Sequence, residues 1–245
     1  MAAAGAACFH EAPRHAAAQT AGRTPAMPAH LRAILWLASL LAASALPVFL
    51  LLAEPVRHTG PWWAFALALG YAGIAVMGLQ FLLTSRVRWV VRPLGLEALY
   101  QFHRWLALVA FALLTLHAAV VAWRQPALVG FDGWPPLHVT AGIAGWLGYG
   151  VLVVTSLWGR QFGIGYRAWR QLHAGGAALA FGAGLWHAWE SGRFVDTPGK
   201  RLVFAASVAA WFLLLAWVRV LRPALLARRA GRQVAGCSGS GRAIT

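Results

Sequence analysis

Six apolar stretches of about 20 residues or more dominate this sequence, separated by short segments rich in Arg, Pro and Gly. They cover residues 31–53, 62–84, 98–123, 139–158, 168–189 and 202–220. A helix rises about 1.5 Å per residue, so each stretch is long enough to cross a hydrocarbon layer about 30 Å thick. Soluble domains carry about 25% charged residues. This chain carries 11%, against 60% apolar, with a mean hydropathy of +0.62. The pattern predicts an all-α integral membrane protein with six transmembrane helices.

The flanks suggest the domain organisation. Residues 1–30 are rich in Ala, Pro, His and Thr with no sustained apolar run, the composition of a disordered extension. Residues 31–221 form the six-helix domain, and 222–245 form a basic, then Gly/Ser-rich, flexible tail. Cys8 and Cys237 lie in the two tails, and nothing in their context implies a disulfide framework.

A net charge of +15 invites a nucleic-acid reading, but the distribution of the charge opposes it. Neither zinc-finger spacing nor a glycine-rich phosphate loop is present, and the Arg residues gather at span ends, where they meet anionic lipid headgroups. The second-to-third connection holds Arg86, Arg88 and Arg92, and the fourth-to-fifth holds Arg160, Arg167 and Arg170. Neither has an acid. Connections on the other side mix Arg57, Arg124, Arg193, Lys200 and Arg201 with Glu54, Asp132, Glu190 and Asp196. The positive-inside rule then places both termini in the cytoplasm, with the chain in a bacterial inner (plasma) membrane. Six crossings return the chain to its starting side, so count and orientation agree. Trp62, Trp63, Trp89, Trp123, Trp158 and Trp189 fall at span ends, where amphipathic rings favour the interface.

Two spans break the apolar pattern in the same way. The third carries His103 and His117, the fifth His173 and His187, and each pair is separated by 14 residues. Fourteen steps of about 100° fall about 40° short of four turns, so both members of a pair share one face about 21 Å apart. Both spans run in the same direction, so His103 can face His173 near the cytoplasmic surface and His117 can face His187 near the outer one. Two imidazoles from facing helices are what a b-type haem iron takes as axial ligands. The expectation is two b-type haems, with these four histidines as cofactor and metal ligands. The competing reading is that polar side chains only hydrogen-bond to neighbouring helices, and matched spacing on two parallel spans weighs against it.

Other residues stand near this constellation. Arg104 and Arg170 are candidates to pair with the propionates of the inner haem; topology and headgroup contact explain them equally well. His138, at the outer start of the fourth span, reads either as a solvated helix end or as a contact for a propionate or an acceptor. Gly175, Gly176, Gly182 and Gly184 in the fifth span fit either a flat macrocycle or tight helix packing.

The segment Leu99-Tyr100-Gln101-Phe102-His103-Arg104-Trp105-Leu106, followed by His117, resembles the third helix of ferric-reductase-like transmembrane domains. Tyr166-Arg167-Ala168-Trp169-Arg170-Gln171-Leu172-His173, leading to His187, resembles the fifth. That superfamily includes NADPH oxidases, ferric reductases and the haem subunit of a periplasmic methionine sulfoxide reductase system. The resemblance covers roughly residues 60–220 and implies six helices, two haems on these four histidines and inward-to-outward electron flow. The oxidases and full-length ferric reductases carry flavin and nicotinamide domains after helix six, whereas this chain ends about 25 residues beyond it. Electrons are then expected from a separate cytoplasmic flavoprotein or from quinol, with FAD or quinone belonging to the partner. The sulfoxide reductase subunit tends to have a basic residue where this chain has His103, so four histidines favour the two-haem branch.

The expected function is transmembrane electron transfer to ferric iron, oxygen or a periplasmic redox protein, as the haem-binding component of an oxidoreductase with no catalytic side chain of its own. A quinone-linked cytochrome b subunit of a larger dehydrogenase uses similar histidine pairs and stands as an alternative. A non-redox transporter is a further alternative, weakened because no acid lies deep in any span. A hydrolase is excluded for want of an acid near a pocket.

Overall fold

The computed structural model describes residues 28–53, 60–85, 91–92, 94–130, 133–159, 161–192 and 195–228. The expected disordered extension, apart from 28–30, therefore lies outside the described residues, as do Cys8 and Cys237. Among the described residues the protein is all helical. Six main helices occupy the six apolar stretches: α1 (Ala29–Ala53), α2 (Pro61–Leu83), α3 (Leu96–Arg124), α4 (Leu137–Trp158), α5 (Tyr166–Glu190) and α6 (Pro198–Ala216). Three of them, α2, α3 and α4, are long and apolar enough to cross a membrane.

Local chemistry sets the starts. Pro61 and Pro198 open α2 and α6, where a proline's missing N–H costs nothing. The Thr197 hydroxyl accepts from the Lys200 backbone N–H at 3.4 Å, a side-chain cap on α6. Gly95, at φ 80°, precedes α3 in a conformation that favours glycine. At its far end α6 widens into a π-helical turn, Trp217–Leu221, and helix continues through residue 228. Arg222 Nη1 donates to the Ser85 carbonyl at 2.7 Å, so the start of the basic segment is fastened to the end of α2. From residue 229 onward that segment lies outside the described residues.

The central helix is α2. It packs along α3 and also meets α1, α5 and α6, while α4 packs along α5. Its buried face runs from Ala66 to Leu83. The main core joins Leu67, Tyr71, Met77 and Phe81 of α2 to Ala110 of α3, Tyr149 and Leu152 of α4, Phe181 and Leu185 of α5, and Phe204 of α6. Phe181 is 1% exposed and tilts against Phe81 at 5.3 Å. Apolar side chains on the outer faces, such as Val151, Leu172, Leu179 and Leu213, are exposed, as lipid-facing positions of a membrane bundle would be.

Candidate haem-binding site

The four histidines of α3 and α5 meet in the two pairs expected. The rings of His103 and His173 lie 6.3 Å apart between centroids. Those of His117 and His187 lie 6.2 Å apart. Both pairs have an interplanar angle of 70°. An iron held at about 2 Å by an imidazole nitrogen sits about 3 Å from that ring's centroid, so two trans imidazoles have centroids about 6 Å apart. Both pairs have that separation. Among the described residues no group of three or more His, Cys, Asp or Glu converges, whereas iron in a macrocycle asks the protein for only two ligands.

The outer pair is oriented by main chain. His117 Nδ1 donates to the Ala66 carbonyl at 2.7 Å, and His187 Nδ1 donates to the His138 carbonyl at 2.8 Å. A carbonyl can only accept, so Nδ1 carries the proton in each ring and Nε2 keeps its lone pair. This is the arrangement of metal-bound histidines, whose second nitrogen is fixed by an acceptor. One helical turn beyond each acceptor stands a glycine against the ring it holds. A Cβ on Gly70 would lie 3.0 Å from the His117 ring, and one on Gly142 would lie 2.8 Å from the His187 ring. Thus Ala66 and Gly70 on α2 do for His117 what His138 and Gly142 on α4 do for His187. The His138 ring also stacks on His187, with centroids 6.1 Å apart and 24° between planes.

The inner pair is oriented by side chains. Ser156 Oγ donates to the Leu152 carbonyl at 2.6 Å, which leaves its oxygen to accept from His173 Nδ1 at 3.3 Å. Gln80, buried on α2, sets its side-chain amide against His103 Nδ1. The Trp169 ring covers His173 at 5.0 Å.

Space accompanies both pairs. A cavity of about 690 Å³ is lined by His117, His138, His187, Gly70, Gly142 and Trp146 among others, within the range of cofactor sites. A cavity of about 240 Å³ borders His103, Arg104, Ser156, Trp169 and His173. A groove of about 480 Å³ between α4 and α5 adjoins it through Leu152, Trp169 and His173. Phe111 and Phe181, equivalent in α3 and α5, lie on the stretch between the two histidine levels. Phe111 lies parallel to Trp146 at 6.4 Å and edge-on to Tyr149 at 6.0 Å.

Of the two arginines singled out, Arg104 borders the inner cavity, while Arg170 is exposed on α5 and lines neither histidine cavity. Sequence reasoning passed over Gln80, Ser156, Trp169, Gly70, Gly142 and the two carbonyls. Gln80 alone had a signal, being the sole side-chain amide in α2.

A helical membrane protein with two superposed pairs of facing imidazoles is the class that fold and site define. Residues 69–184 match the family described as ferric reductase like transmembrane component. This stretch, from within α2 to within α5, is thus similar to ferric-reductase-like transmembrane domains, as the segments around His103 and His173 suggested. His103, His117 and His173 fall inside the match, and His187 follows three residues after it. No curated protein matches the chain. The chain is an integral membrane protein, and membrane electron transfer is the activity that the match supports.

Proposed function

We propose that this protein carries electrons across a membrane through two b-type haems, one held by His103 and His173, the other by His117 and His187. Bound between such a pair, each haem supplies an iron that gains and loses one electron. The observation that carries the reading is the centroid separation, 6.3 Å and 6.2 Å, repeated at two levels of the same two helices.

The side chains divide the work. Nε2 of each histidine is the ligand atom; the Ala66 and His138 carbonyls and the Ser156 hydroxyl accept from Nδ1 of His117, His187 and His173, and the Gln80 amide packs against the His103 ring. Gly70 and Gly142 leave room for the outer rings to lie against α2 and α4. Arg104 is the inner cation for a propionate, with Arg170 a more distant one. The apolar shell of α2 to α5 keeps water from the path. Six crossings with both termini in the cytoplasm of a bacterial inner membrane complete the topology. A cytoplasmic flavoprotein or quinol is the donor; chelated ferric iron, oxygen or a periplasmic redox protein is the acceptor.

The test is a reduced-minus-oxidised visible spectrum of the purified protein, with a pyridine haemochrome count per chain. Two b haems are expected, falling to one or none in His103→Ala and His117→Ala variants. A colourless protein, expressed with ample haem, would overturn the reading.

A further inference from the structure

Trp169 stands one turn before His173 on α5, and its ring belongs to a short aromatic ladder. It stacks on Tyr166 at 6.0 Å and lies against His173 at 5.0 Å, tilted by 31°. Stacking accounts for the ring but not for its nitrogen. Among the described residues, Trp169 Nε1 is the one buried side-chain nitrogen or oxygen with no hydrogen-bond partner. An indole N–H can only donate, and a buried donor left unsatisfied is costly. The site calls for an acceptor that the described residues do not supply.

The neighbours narrow what that acceptor is. Trp169 borders the inner cavity together with Arg104, Thr84, Ser156 and both inner histidines. The two hydroxyls already donate to their own helices: Thr84 Oγ1 to the Gln80 carbonyl at 3.0 Å, and Ser156 Oγ to Leu152. Arg104 and Trp169 border one cavity; the guanidinium and the indole N–H are both donors, and an anionic oxygen satisfies both.

Resting on the haem reading above, we propose that Trp169 is a cofactor-binding residue whose Nε1–H donates to a carboxylate oxygen of the inner haem's propionate, on the cavity that Arg104 borders. No charge is needed on Trp169 itself. Its ring, set against His173, places the donor beside the ligand helix.

The test follows haem release from the purified, haem-loaded protein to excess apomyoglobin, with the inner phase assigned by its absence in His103→Ala. Trp169→Phe keeps an aromatic ring against His173 and removes the N–H. Hydrogen bonds to charged groups are among the strong ones, so the inner haem should leave about tenfold faster. The outer phase should stay unchanged. Wild-type protein reconstituted with haem dimethyl ester, which lacks the carboxylates, completes the cycle. The ester should leave faster than haem from the wild type, and Trp169→Phe should add little to that loss. Equal release of haem from the wild type and Trp169→Phe would overturn the proposal. So would an equal acceleration of haem and its ester, which would assign Trp169 to packing or leave its N–H to an occupant of the α4–α5 groove. Wild-type protein without pigment would refute the haem reading itself, and is read separately from the spectrum.

Discussion

Gly142 and His187 are so close that a methyl group on the glycine would sit 2.8 Å from the imidazole. Real Cβ atoms do not tolerate that distance, and the His187 ring cannot easily retreat, since its Nδ1 is tied to the His138 carbonyl, one turn before Gly142 on α4. Gly142→Val should therefore displace His187 and empty the outer level while leaving the inner one filled. The haemochrome count should fall from two per chain to one. Gly70→Ala, where the approach is 3.0 Å, should weaken the outer site without abolishing it. Retention of both haems by Gly142→Val would show that the glycine is not part of the site.

Ser156→Ala removes the acceptor of the His173 Nδ1–H and keeps the ring's surroundings. Accepting that proton makes the imidazole a stronger donor to iron and favours the ferric state. Its loss should raise the reduction potential of the inner haem alone. A tenfold change in relative affinity for the two oxidation states corresponds to about 59 mV. Potentiometric titration of the two haems checks both the sign and the restriction to one site.

Gln80→Leu exchanges a buried amide for a side chain of similar size and leaves His103 Nδ1 facing hydrocarbon. Loss of one partner of a buried polar contact costs about 1–3 kcal/mol. The variant should melt at a lower temperature in detergent, and its inner haem should be released more readily than its outer one. Unchanged melting and release would mean that Gln80 fills space only.

Asp196 gives a pH dependence remote from the histidine pairs. Lys200 Nζ, on a buried side chain, reaches the exposed carboxylate at 3.1 Å. That hydrogen bond, chiefly, holds the Asp196 carboxyl below the ordinary carboxylate range. A depressed value in the folded state means that the pair's contribution is present at neutral pH. It is lost as the pH falls through the lowered value. Melting temperatures of the wild type and Asp196→Asn should differ at pH 7 and converge in acid. A constant difference across that range would assign the effect elsewhere.

Much of the bundle was legible in the sequence because period and length carry it. The helices begin and end within a few residues of the apolar stretches, and identical spacing in α3 and α5 announced facing histidines. What the sequence did not reveal depends on lateral register between helices. That Gly70 lies against His117 and not one turn away follows from how α2 slides along α3, and no local pattern encodes it. The carbonyls of Ala66 and His138 are invisible for a simpler reason: every residue has one. Arg104 and Arg170 looked equivalent as cations near a ligand, yet only Arg104 borders the inner cavity, because each helix turns them to different sides.

The difference between the two histidine levels bears on how such a protein can diversify. Rings held by main-chain carbonyls cannot lose their acceptors through a point substitution, since any residue at 66 or 138 still offers the same oxygen. Rings held by a serine hydroxyl and a glutamine amide can be retuned one codon at a time. Retuning of the ring's acceptor is therefore open at the His103–His173 level through single replacements, whereas the acceptors at the His117–His187 level change only when a whole helix shifts.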